Sequence, residues 1–213
     1  MKNAITIGAS TIPGEVILPH LLPKILQRNP DITVRLLISN SQTTFERVRS
    51  GEIEVGVIGT QFDSDQVEYQ TVIEDDRLVL IVPKNDALAQ KASLSIGDLR
   101  GQRFINRELG SGTRATYEQA FGRAGLSLDD LNIVAEISDT EGVIQAVQAG
   151  AGIAVVSEVA ARSSECCGDI AILDLPLDMT RSFYIITRKT NTPNPVTQEI
   201  VQYLTEAFRQ RER

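Results

Sequence analysis

Two stretches of the chain carry the same pattern: FERVRSGEIEVGVIG at 45–59 and IQAVQAGAGIAVVSE at 144–158. Each is the end of an apolar helix, a glycine, and a run of small and β-branched residues. The flanks repeat as well. A strand, a loop of small residues, a long helix and a second strand precede both stretches. Alternating strands and helices build mainly parallel sheets covered by helices, so the fold class is α/β. The repeat constrains the chain further, to two similar α/β lobes. At 213 residues the sequence is long enough to bury a core without metals or disulfides.

The elements follow from spacing and punctuation. AITIGAS (4–10) reads as a strand, after which Ser10 or Thr11 caps a helix with Pro13 in its first turn. Val16, Ile17, Leu21, Ile25 and Leu26 recur at helical spacing, and Asn29-Pro30 ends the helix. A strand at 32–38, a helix at 41–51 closed by Gly51, and an apolar strand at 53–59 complete the first set. VEYQTVI (67–73) and RLVLIVP (77–83) read as two strands. The Asp75-Asp76 pair between them, like Asp129-Asp130, reads as solvated turn charge. The second set is RFIN (103–106), a helix from Thr113 to Ala124 stopped by Gly125, NIVAEIS (132–138), a helix at 140–150 and GIAVVSE (152–158). IAILDLP and RSFYIITRK (181–189) are further strands before a last helix. The expected lobes are 1–80 with 188–213, and 81–187, joined by RLVLIVP and RSFYIITRK as crossing strands.

Composition narrows the function. The net charge of -7 and sequence pI of about 4.9 argue against this chain gripping nucleic acid by itself, since that affinity rests on Lys and Arg. A basic partner domain in a longer protein stays open. The N-terminus has no apolar core and cleavage site of a secretory signal, and no apolar run approaches a membrane span; both favour the cytoplasm. The first strand begins almost at residue 1, so the chain reads as trimmed. Cys166 and Cys167 are adjacent, where ordinary disulfide geometry is strained, and read as reduced structural thiols. His20, the only histidine, reads as helix surface. No metal and no cofactor are expected.

RELGSGTRATYEQAF (107–121) resembles a phosphate cradle at first sight. A P-loop needs Gly-x4-Gly-Lys-Ser/Thr, and Gly112 is followed by Thr113 and Arg114. The dinucleotide fingerprint fails as well, because Ala115 stands where its third glycine belongs. There is no Gly-x-Ser-x-Gly elbow, and His20 faces away from any serine nucleophile, so catalysis is not expected. Four polar clusters remain at strand ends or helix starts: Ser10-Thr11, Thr60-Gln61, Ser111–Thr113 and Ser138–Thr140. Open α/β sheets place ligands there, and hydroxyls with free backbone N–H groups suit a small anion or polar molecule. Each cluster singly also reads as helix capping. Arg107 suits a carboxylate, sulfate or phosphate, or else a salt bridge with Glu108.

These segments, in this order, resemble the effector-binding domain of LysR-type transcriptional regulators. The resemblance begins at ITIGAST, runs on from ILPHLLPKILQRNPDITVRLLI, and continues through RLVLIVPKNDALA, INRELGSGTR, VIQAVQAGAGIAVVSE and RSFYIITRK over essentially the whole chain. RELGSGTR and SDTEGVIQAVQAGAGIAVVS are most similar to the branch of cysteine-biosynthesis regulators. Many members have Leu-Pro where this chain has Val156-Ser157.

The resemblance implies a type 2 periplasmic-binding-protein fold with an inducer in the cleft between the lobes. It also implies an N-terminal winged helix-turn-helix and linker helix that are absent from this chain, roughly 90 residues by the usual size of such modules. The family's inducer contacts fall on Ser10, Thr11, Thr60, Ser111, Thr113 and Ser138, with Arg107 as the charged candidate. The implied partners are a small, anionic effector, a second or further copies in a homodimer or homotetramer, and DNA only through the absent domain. No membrane partner is implied. In such dimers helix 13–28 of one chain lies near the TTFERV helix or a second-lobe helix of the other. A transport solute-binding protein of the same fold, or an enzyme like prephenate dehydratase on it, are the rival readings.

Overall fold

The computed structural model describes residues 3–165, 169–189 and 194–211. Cys166 and Cys167 lie outside the described residues. The chain divides into two compact units, Met1–Asp75 with Ser182–Arg213, and Asp76–Arg181.

In the first unit β1 (Asn3–Ala9) is central. It pairs in parallel with β2 (Ile32–Ile38) on one side and β3 (Val55–Ile58) on the other. β3 pairs antiparallel with β9 (Thr180–Arg188), and β4 (Val67–Pro83) follows β9 in the strand order. The connections are helical: α1 (Leu18–Arg28, entered through the turn Pro13–Ile17) between β1 and β2, and α2 (Ser41–Ser50) between β2 and β3. α6 (Pro195–Arg211) closes the chain. β3 is buried along its whole length, as a strand covered on both faces must be. Ile17, Leu18, Leu21 and Ile25 form the inner stripe of α1, and Leu26 is exposed.

α1 is irregular because of its prolines. It opens with a π-helical turn, Pro13–Ile17, before the regular stretch Leu18–Arg28. The Leu18 N–H reaches back to the Pro13 carbonyl, five residues away, instead of four. Pro19 has no N–H, and a proline ring collides with the carbonyl four residues earlier; a wider turn relieves that collision.

The second unit repeats the arrangement. β5 (Arg103–Arg107) pairs in parallel with β6 (Asn132–Ile137) on one side. On the other side Phe104 bridges to Ile153, at the entry to β7 (Ala154–Ser157). α3 (Gly112–Arg123) and α4 (Thr140–Gln148) make the connections, as α1 and α2 do in the first unit. β4 pairs antiparallel with β7 and with β8 (Ile170–Leu173), and α5 (Glu158–Glu165) follows β7. The core gathers Leu78, Leu80, Phe104, Tyr117, Phe121 and Val155, with Phe104 edge-on to both Tyr117 and Phe121. This is the type 2 periplasmic-binding-protein architecture expected from the sequence, with two strands, β4 and β9, linking the lobes.

Three expectations need correction. Residues 67–83 form one strand, with no turn at Asp75-Asp76. Asp76 is accordingly buried inside that strand, paired with Arg181, while Asp75 is exposed. The helix over Glu158–Glu165, five of whose eight residues are charged or polar, has no counterpart in the sequence reading, which runs a strand to 158. Among the described residues no helix is long and apolar enough to cross a membrane.

Candidate functional site

Parallel strands end on one side, and their register decides what meets there. In the first unit Ala9 is level with Ile38 of β2 and with Val57 of β3. The residues just beyond, Ser10, Ser39 and Gly59, therefore share the carboxyl edge of the sheet. β1 lies between β2 and β3, so the connections leave it in opposite directions, and the crevice at such a switch point is where open α/β sheets hold ligands. The Ser10 N–H bonds the Val57 carbonyl across it at 2.8 Å, and the Ser10 carbonyl accepts from Gly14 at 2.9 Å to begin the helix. Ser10 and Thr11 are both buried. Thr60 is half-buried, and its hydroxyl donates to the Gly59 carbonyl at 2.8 Å.

Sequence reasoning passed over the end of β2. There the Ser39 and Thr44 hydroxyls bond each other at 2.8 Å, and the Asn40 side chain caps α2 by accepting from the Thr43 N–H at 2.8 Å. Ser41 Oγ accepts from the Gly59 N–H at 3.4 Å, tying the ends of β2 and β3 together. The internal repeat held the missing signal. Ser39-Asn40-Ser41 occupies the place of Ser138-Asp139-Thr140 in the second unit, where Asp139 caps α4 through the Gly142 N–H at 2.6 Å.

In the second unit Gly110 sits at φ +83°, in the left-handed region that only glycine enters freely. The chain reverses there and delivers Ser111 to the N-cap of α3, its Oγ accepting from the Arg114 N–H at 3.4 Å. Ser111 and Thr113 are buried; Ser138 is exposed at the end of β6. Arg107 ends β5 with only 1% of its surface exposed. Its guanidinium donates to Glu108 Oε2 at 2.9 Å, Thr140 Oγ1 at 2.9 Å and the Ser138 carbonyl at 3.2 Å. The salt bridge to Glu108 is formed, and Arg107 ties the β6–α4 corner to the end of β5. Tyr117, on α3, hydrogen-bonds Asn106 beneath it, and burial pushes its hydroxyl pKa up.

The structure adds a second buried cation next to Thr113. Arg181 Nη1 donates to Thr113 Oγ1 at 3.0 Å and Nε donates to Asp76 Oδ2 at 2.8 Å. Ser157 Oγ donates to Asp76 Oδ1 at 2.6 Å. Neither Asp76 nor Ser157 was legible as part of this corner.

Ser10, Thr11 and Thr60 are thus brought to one edge of the first unit, and Arg107, Ser111, Thr113 and Ser138 to the corresponding edge of the second. A groove of about 1010 Å³ in the first unit lies elsewhere, lined by Glu54, Glu68, Arg188, Gln198, Gln202 and Glu206 among others, and takes in none of these residues. Among the described residues no group of three or more His, Cys, Asp or Glu side chains is placed to hold a metal ion.

The family model described as the LysR substrate binding domain matches residues 2–209. The HTH-type transcriptional regulator MJ0300 of Methanocaldococcus jannaschii is 36% identical over 197 residues, 92% of this chain and 66% of that protein. The HTH-type transcriptional regulator CysL of Bacillus subtilis is 30% identical over 175 residues, 82% of this chain and 57% of that protein. The chain therefore spans under two thirds of the length of these curated relatives. Among solved structures, the regulatory domain of Synechocystis PCC6803 CcmR in complex with 2-PG superposes with a TM-score of 0.86, at 25% identity and over 97% of each chain.

Proposed function

The chain belongs to the LysR substrate binding domain family, and we propose on that premise that it senses a small effector for a transcription regulator whose DNA-binding part is another domain. One observation carries the reading. Both units place hydroxyls and helix N-termini at the carboxyl edge of a strand order in which the first strand lies between the second and third. Ser10, Thr11 and Thr60 are the contacts of the first unit; Ser111, Thr113 and Ser138, with Arg107 as the charged member, are those of the second. Oriented N–H groups and helix N-termini favour an anion.

The likeness of RELGSGTR to cysteine-biosynthesis regulators makes sulfate, thiosulfate and acetylserine-like compounds the first effectors to screen, with phosphate and 2-PG beside them. A ligand at a hundred times its dissociation constant adds ~2.7 kcal/mol of stability. A thermal-shift screen should find such a stabiliser. Ser111→Ala and Thr113→Ala should abolish the stabilisation, and its survival in both variants would remove these residues from the site.

The outer strands support assembly into dimers. β2 and β6 end their strand orders and expose Leu37, Ile38, Ile133 and Val134. An edge strand with apolar side chains is a template for another chain unless it is covered. Light scattering should report a dimer or tetramer, and Ile38→Lys with Ile133→Lys should shift it to monomer. A wild-type monomer would exclude this assembly.

A further inference from the structure

We propose that Arg181, held by Asp76, is a positioning residue that sets the Thr113 hydroxyl as a hydrogen-bond donor toward the effector; this rests on reading the start of α3 as an effector contact. The two residues stand on β9 and β4 and are the last and first residues of the second unit. Their side chains are 7% and 1% exposed. Taking an ion pair out of water costs several kcal/mol per ion unless geometry and further hydrogen bonds compensate. Here they do. Asp76 accepts from Arg181 through Oδ2 and from Ser157 through Oδ1, so the carboxylate is held at both oxygens. With Nε fixed on Asp76, the plane of the guanidinium is fixed, and Nη1 falls 3.0 Å from Thr113 Oγ1.

The consequence is a matter of donors and acceptors. A guanidinium only donates. In this bond the Thr113 oxygen is the acceptor, and its proton is turned away from Arg181. A threonine hydroxyl ordinarily takes either role; the bond from Arg181 fills one of its two lone pairs and biases it toward donating. The first amides of a helix also only donate. The start of α3 therefore offers donors, and the ligand atom that meets it is an acceptor: a carboxylate, sulfate or phosphate oxygen.

Amide hydrogen exchange tests the positioning without a ligand. The Asp76→Asn/Arg181→Gln double variant keeps neutral polar groups in place, and Thr113→Val removes only the acceptor. Both should speed exchange at residues 113–115 about tenfold, the effect of one hydrogen bond, while Phe104 and Ile105 in β5 keep their wild-type rates. Unchanged rates at 113–115, or equal acceleration in β5, overturn the proposal. Titration with sulfate and with 2-PG tests the donor role. Thr113→Val and the double variant should each weaken binding about tenfold, their combination no further, and Thr113→Ser should restore it. Additive losses, or wild-type affinity in Thr113→Val, overturn the donor role. A wild-type protein that binds neither probe refutes the effector contact itself, and the exchange rates then decide the positioning alone.

Discussion

Arg107 is a charge with 1% of its surface exposed, and its value to the fold is the set of acceptors built around it. Replacing it with alanine strands the Glu108 carboxylate, 14% exposed, and removes the hydrogen bonds that Arg107 gives to Thr140 and the Ser138 carbonyl. Breaking a buried ion pair from one side costs about 3 kcal/mol or more. Urea denaturation should show that loss for Arg107→Ala, whereas Arg47→Ala, whose partner Glu52 is exposed, should stay within about 0.5 kcal/mol. Equal effects would mean that burial does not govern the Arg107 pair.

Glu158 makes the pH counterpart. Hydrogen bonds from Arg77 above all, and from Arg162, hold its carboxyl down from an ordinary 4.5 to about 2. A lowered carboxyl pKa stabilises the fold fully above pH 4.5, and that contribution is lost as pH falls from there through about 2. Arg77 is 46% exposed, so solvent screening limits the contribution to about 1 kcal/mol. Stability measured at pH 7 and pH 3 should fall less in Glu158→Gln than in the wild type. The same residue scale is where the sequence misleads most. Two adjacent aspartates look like a turn, and nothing beside Asp76 reveals a partner 105 residues away.

Elements were legible wherever a local rule acts alone. α2 runs from Ser41 to Ser50, between Asn40 as its cap and Gly51, because capping and left-handed backbone are properties of one or two residues. Gly51 has φ +80°, and Gly51→Ala should cost about 1 kcal/mol in a urea titration from backbone strain. No loss would show that the left-handed turn relaxes. β4 was read as two strands because its continuity depends on partners, not on composition. Leu78 N–H bonds the Met179 carbonyl at 2.9 Å, and the Ser182 hydroxyl bonds the Glu74 carbonyl at 3.3 Å, so the chain stays extended through two charges. The π-helical turn in α1 was hidden for a related reason. Pro13 and Pro19 each suit a helix start, and only their combination in one helix demands the wider turn.

At the scale of the whole molecule the repeat was the informative feature, and it works because each copy is a complete strand order with its own core. The polar strand ends recur with it: where one unit has them the other carries them too, down to Asn40 and Asp139 as caps, the Asn40 copy being the one passed over. What the repeat leaves out are the links made once only, Asp76 and Arg181 among them. Those links allow a last prediction. The second unit is a single stretch, Asp76–Arg181, inserted into the first. Its two ends are already in contact, Arg181 Nε lying 2.8 Å from Asp76 Oδ2, so excision opens no gap in it. Leu78, Phe104, Tyr117, Phe121 and Val155 of its core all lie inside the stretch. A fragment of residues 76–181 should therefore fold by itself, with one cooperative urea transition and a slope of about 1 kcal/mol/M, as suits a domain of that size. Slow exchange at Phe104 and Ile105 should persist in it. A fragment that melts without cooperativity would show that β4 and β9 hold the second unit together only when both run on into the first.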